Sequence, residues 1–248
     1  MKVSICVDAV FRGKDFGQSL NDMSTVGVKA FEFWSWWDKD LASIRRAKER
    51  LNLAPIACCT RFISLVYASK RAEYLQGLRE SIRAAQQIGC KTLISQVGND
   101  LGTSRYAQKR NLIEGLRACV PLLEKEDILL VFEPLNTLVD HPGYYLTSSE
   151  EAFEIVEAVG SPKVKVLFDI YHQQIMEGNL IQRITENIDQ IGHFHAAGNP
   201  GRHELYYGEI NYPELFRAID ASGYQGYVGF EYFPLDEPLQ GIRAFIED

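Results

Sequence analysis

The sequence is short of histidine, cysteine and surplus positive charge, and each shortage removes a class of function. Its 248 residues include five histidines and five cysteines, with 26 lysines and arginines against 33 aspartates and glutamates. The formal charge of −7 argues against nucleic acid or an anionic membrane as the main partner, because both are bound by basic surfaces. The cysteines (Cys6, Cys58, Cys59, Cys90 and Cys119) are odd in number, form no C-x-x-C and mostly sit in apolar runs. That pattern reads as buried free thiols in a reducing compartment, so the expected location is cytoplasmic. No apolar run approaches the ~20 residues of a membrane-spanning helix. Asp8 and Arg12 interrupt the N-terminal MKVSICVDAVF too soon for a signal peptide. No Gly/Ser- or Pro-rich linker divides the chain, and residues 1–248 are expected to form one domain.

What the sequence does have is a repeating strand-like run. Eight of these occur, at 3–9, 28–34, 53–59, 91–97, 128–134, 164–170, 191–197 and 227–233. Helix-like segments separate most of them, for example 40–51, 71–89, 104–126 and 148–160. In the second, Leu75, Leu78, Ile82 and Ala85 share one face at helical spacing. The fourth opens on serines followed by glutamates and closes on glycine then proline, which are helix start and stop signals. Strands alternating with helices pair in parallel through right-handed crossovers. Eight such units in this length predict an α/β protein of the (β/α)8 TIM-barrel type. A doubly wound open sheet is the alternative, but no G-x-G-x-x-G follows the first strand.

The last four strands end alike: Phe132-Glu133, Phe168-Asp169, Phe194-His195 and Phe230-Glu231. Side chains alternate along a strand, so phenylalanines packed outward under the helices turn each polar partner inward. In a barrel those inward groups converge on the carboxyl mouth, where active sites lie. Three carboxylates in one small space cannot all stay ionised without a compensating cation. With one imidazole they suit a single Mn²⁺, Mg²⁺ or Co²⁺ with positions left open for substrate oxygens. The competing reading makes these residues independent helix caps or salt-bridged acids.

At this point the sequence resembles the xylose isomerase-like TIM barrels, in particular the hydroxypyruvate isomerase-like members related to D-tagatose/D-psicose 3-epimerases. The motifs are EPLNTLVDHPGYYL, DIYHQQIMEGNL, PGRHE, GEINY and GYVGFEY, in that order, and the resemblance covers nearly the whole chain. It implies Glu133, Asp169, His195 and Glu231 as metal ligands, and His172 and Arg202 as substrate contacts. Arginine suits the second role because its planar fork grips a carboxylate or hydroxyl. From strand phase alone, Glu32 points inward near the mouth, and Trp34 either walls the pocket or joins a subunit interface. Trp36 and Trp37 read as packing, His193 as a core histidine or a partner of His195, and Glu209 as a support for its loop.

The function these readings give is isomerisation of a small hydroxy-carbonyl or sugar substrate, dependent on a divalent metal. Chelation would acidify the intervening C–H and stabilise an enediolate, with Glu133 and Glu231 as acid–base groups. The specific expectation is hydroxypyruvate to tartronate semialdehyde. Ketose 3-epimerisation is the nearest alternative. Two other classes remain as rivals: an endonuclease IV-like phosphodiesterase, disfavoured by the few histidines and the acidic charge, and a catalytically inert sugar-binding barrel. A small-molecule substrate, no nucleic acid, no membrane and room for a dimer or tetramer complete the expectations.

Overall fold

In a computed structural model describing residues 1–245, the chain begins β1 (Lys2–Cys6), α1 (Val7–Val10), α2 (Phe16–Thr25), β2 (Ala30–Phe33), α3 (Leu41–Leu51) and β3 (Ala54–Cys59). It continues α4 (Arg71–Ile88), β4 (Thr92–Ser95), α5 (Arg105–Glu126), β5 (Leu129–Phe132), α6 (Ser149–Val159) and β6 (Val164–Asp169). It ends α7 (Ile170–Met176), α8 (Leu180–Glu186), β7 (Ile191–Ala196), α9 (Tyr212–Ala221), β8 (Tyr227–Phe230) and α10 (Pro238–Arg243). All eight strands pair in parallel and in sequence order, and β8 returns to β1, which closes the barrel. The last three residues of the expected 1–248 domain lie outside the described residues. Among the described residues, no helix is long and apolar enough to cross a membrane.

The helices stop and start where local chemistry dictates. Asp40, Ser104 and Ser148 each accept a backbone N–H from the first turn of the helix they precede. Gly89 and Gly160 close α4 and α6 in the left-handed conformation, which glycine enters without a Cβ penalty. The strands are shorter than the apolar runs that announced them. β5 ends at Phe132 and β8 at Phe230, so Glu133 and Glu231 are the first residues beyond the ladder.

Two packed layers result. Phe132, Phe168, Phe194 and Phe230 face outward into the large core shared with the helices. Phe168 stacks on Phe153 of α6, and Phe230 on Phe216 of α9. Inside the barrel, Ala57, Cys59, Ile94, Val131 and Leu167 form a separate apolar cluster contributed by β3 to β6. Ser4, Glu32 and His193, from β1, β2 and β7, are buried polar residues bonded to one another. The barrel interior is therefore oily on one side and polar on the other.

Candidate active site

Glu133, Asp169, His195 and Glu231 converge at the carboxyl mouth, and all are buried. His195 Nδ1 lies 3.2 Å from Glu231 Oε2 and 3.9 Å from Glu133 Oε1. Asp169, His195 and Glu231 each offer a ligand atom within a 4.8 Å cluster, and Glu133, Asp169 and His172 form a second such group. Asp169 and His195 face each other across the β6–β7 ladder.

Each carboxylate is tethered differently. Asp169 Oδ1 caps α7, accepting from the backbone N–H of Tyr171 at 2.8 Å and of His172 at 3.2 Å. Its Oδ2 turns into the site, 3.3 Å from Arg202 Nη2. Capping and site membership, treated as alternatives from the sequence, thus belong to different oxygens of one side chain. Glu231 Oε1 accepts from Trp34 Nε1 at 2.5 Å and from the Cys6 thiol at 3.6 Å, while Oε2 accepts from Arg202. Glu133 Oε1 is buried with no hydrogen-bond partner.

These tethers set the charge states. Burial, with Asp169 and Glu231 alongside, pushes Glu133 well above the ordinary carboxylate range despite the pull of His195. Burial also raises Asp169, against Arg202 and His195. Glu231 goes the other way: burial opposes its ionisation, but His195, Arg202 and the Trp34 N–H hold it well below the usual range. Burial works against protonation of His195, yet Glu231 and Glu32 raise it well above an ordinary imidazole.

The donor set fits a divalent cation. Glu133 Oε1 is buried and unpartnered beside two further carboxylates, which is costly unless something electropositive completes it. Three carboxylates and one imidazole nitrogen supply hard oxygen ligands with one nitrogen, as Mn²⁺, Mg²⁺ or Co²⁺ prefer.

The wall of the site is a cavity of about 350 Å³ lined by Trp34, Cys59, Phe62, Gln96, Glu133, His141, His172, His195, Arg202, Glu231 and Phe233, among others. Trp34 therefore belongs to the pocket. His172 presents one defined face to it. Asn136 Oδ1 accepts the backbone N–H groups of Val139 and Asp140, both at 3.0 Å, which turns its amide Nδ2 to His172 Nδ1 at 2.7 Å. His172 Nδ1 is then the acceptor and Nε2 carries the proton. Burial and the charge of Arg202 hold His172 well below its ordinary value, so it is neutral at pH 7.

Arg202 reaches the cavity from among the site carboxylates, whereas Glu32 sits deeper than strand phase suggested. The Arg202 guanidinium is buried against Asp169 and Glu231, with Tyr171 under it at 5.3 Å. Its loop is folded tightly onto the segment after β8: Phe233 N–H donates to Arg202 O at 2.7 Å, and Arg202 itself has φ +57°. Its nearest partners are site carboxylates, and it reaches the cavity beside them. Glu32 is not on the cavity wall; it lies one layer down, with its oxygens on His193 and His195. Strand phase told its direction but not its height, which depends on the stagger between β2 and β7.

Glu209 accepts from Asn199 within its loop and from Gln174 of α7, and Trp36 packs against Ser81 and Trp37. His141, Gln96 and Asn136 were not singled out from the sequence. Gln96 shares the inward phase of Ile94 two residues earlier, a usable signal. His141 and Asn136 lie in the loop after β5, where no periodicity marks them.

Fold and site together define a class: a (β/α)8 barrel whose buried carboxylates and histidines line a pocket at the carboxyl ends of the strands. More particularly, the chain belongs to the xylose isomerase-like TIM barrel family, whose model matches residues 20–248. It is 34% identical to hydroxypyruvate isomerase of Escherichia coli (strain K12) over 253 residues, covering 98% of this chain and 97% of the relative. It is 40% identical to 2-oxo-tetronate isomerase of Cupriavidus necator over 122 residues, 49% of this chain and 46% of that one. A solved structure described as AP endonuclease, family 2, from Brucella melitensis superposes with a TM-score of 0.94 at 29% identity, covering 99% of this chain and 98% of that one.

Proposed function

We propose that this chain isomerises a short 2-keto-hydroxy acid by moving a proton between adjacent carbons, and that hydroxypyruvate, giving tartronate semialdehyde, is its substrate. The observation that carries this reading is Glu133: a buried carboxylate with an unpartnered oxygen, on the wall of a small cavity, facing the His195–Glu231 pair. A divalent cation held by Glu133, Asp169, His195 and Glu231 would draw electrons from the substrate's carbonyl and hydroxyl oxygens and acidify the C–H next to them.

Glu133 takes the C3 proton of hydroxypyruvate and returns it to C2, while the hydroxyl proton passes from the C3 oxygen to the C2 oxygen, so that the ketone becomes an alcohol and the alcohol an aldehyde. No other atom is gained or lost. Glu231, tied by Trp34, Cys6 and Arg202, stays ionised and fixes the opposite side. His172 offers its Nε2–H to a substrate oxygen without bringing a charge. Arg202 adds positive charge for the substrate carboxylate. Trp34, Phe62 and Phe233 exclude water from the reacting carbons.

The cavity has room for more than three carbons, and the 2-oxo-tetronate isomerase relative supports a four-carbon 2-keto acid as a second reading. The endonuclease description of the solved relative finds less support here, since a pocket of about 350 Å³ and a net charge of −7 suit a small molecule over DNA.

The test is turnover in D₂O with Mn²⁺ present, using hydroxypyruvate, 2-oxo-tetronate and C4 to C6 ketoses, followed by NMR. One of the two keto acids should be converted, with deuterium on the carbon that receives the proton. Complete retention of the substrate hydrogen means a hydride shift or a proton shielded from solvent, and near-normal turnover in metal-loaded Glu133→Gln then removes Glu133 as the base. No conversion of either acid overturns the substrate class.

A further inference from the structure

A charged group inside a barrel core needs a reason, because barrel interiors are filled mainly by branched apolar side chains. Glu32 is 1% exposed and His193 2% exposed. Glu32 Oε2 receives His193 Nε2 at 2.7 Å and Ser4 Oγ at 3.2 Å. Its other oxygen, Oε1, lies 3.0 Å from His195 Nε2. The neighbouring strand makes way for it: a Cβ on Gly229 would stand 2.0 Å from Glu32 Oε1 and 2.8 Å from His195 Cδ2. Four strands thus contribute to one buried group whose single outlet toward the cavity is the His195 ring.

We propose that Glu32, held in place by His193 and Ser4, is a positioning residue that fixes the orientation and tautomer of His195 for metal binding. This rests on the metal reading of the site given above. A neutral imidazole, the form that binds a metal, presents the Nδ1 lone pair on its other edge when it turns Nε2–H to a carboxylate. That edge faces the carboxylates of Glu133 and Glu231, at 3.9 and 3.2 Å. The Glu32 carboxylate also raises the electron density available at Nδ1, as carboxylate–histidine pairs do behind metals. His193 keeps Glu32 from rotating away, and Gly229 keeps the space open.

The experiment measures the Mn²⁺ dissociation constant of folded protein by electron paramagnetic resonance, in the wild type and in Glu32→Gln. Glutamine keeps the volume but turns an amide N–H₂ toward one of the two histidines. Affinity should fall by about 10- to 100-fold, while circular dichroism and the melting temperature of the metal-free protein show the fold retained. A purely structural role would lower the melting temperature and leave the affinity of the folded fraction unchanged, and that result overturns the proposal. If Glu32→Gln does not fold, His193→Gln decides: weaker Mn²⁺ binding supports the proposal, and wild-type affinity overturns it. Failure of the wild type itself to bind Mn²⁺ would overturn the metal reading and this inference with it, and is told apart by that first measurement.

Discussion

Glu133→Gln should lower kcat by about 10²–10⁴-fold, the range expected for loss of a positioned acid–base group, in protein that still folds and still carries metal at saturating Mn²⁺. The amide matches the carboxylate in size, so the cavity wall is preserved. It cannot accept and return a proton. KM should move much less than kcat, because the lost interaction belongs to the proton transfer and not to substrate holding. Stability gives a second signature. Glu133 is raised in the folded, metal-free protein, so its contribution is full below the ordinary carboxylate range and is lost as pH rises toward its folded value. The variant removes that dependence. Its metal-free melting temperature should therefore decline less than the wild type's as pH climbs from about 4 toward neutrality. Near-normal turnover in metal-loaded Glu133→Gln would assign the proton to another group.

Stripping the metal should abolish turnover altogether, and Mn²⁺, Co²⁺ or Mg²⁺ should restore it. The reason is electrostatic. Arg202 offsets part of the charge of Asp169 and Glu231 but leaves Glu133 Oε1 unpartnered. A cation held there would draw charge from the substrate carbonyl and acidify its neighbour, while Arg202 is engaged by Asp169 and Glu231. Binding should also stabilise the fold by about 2.7 kcal/mol at a metal concentration 100 times the dissociation constant. Full turnover in protein shown to be metal-free would remove the cation from the mechanism.

The barrel was legible because the period-two alternation of a strand survives in the sequence. Phe132, Phe168, Phe194 and Phe230 face the helices, and the residue after each phenylalanine lies at the mouth. What stayed hidden depends on height and on loops. Glu32 has the same inward phase that a pocket residue would have, yet strand stagger places it beneath His195. The run 128–134 read as strand past Glu133, although the ladder stops at Phe132. Asn136, which orients His172, and His141, which lines the cavity, lie in a loop without periodicity. Asp169 shows a different limit: residue type cannot tell a helix cap from a site carboxylate when the two oxygens do separate work.

The most direct test of the central claim is anomalous diffraction at the manganese edge from crystals of the Mn²⁺-loaded protein. The account predicts one peak per chain, enclosed by Glu133, Asp169, His195 and Glu231. A loaded crystal with its peak elsewhere, or with none at the carboxyl mouth, would contradict it.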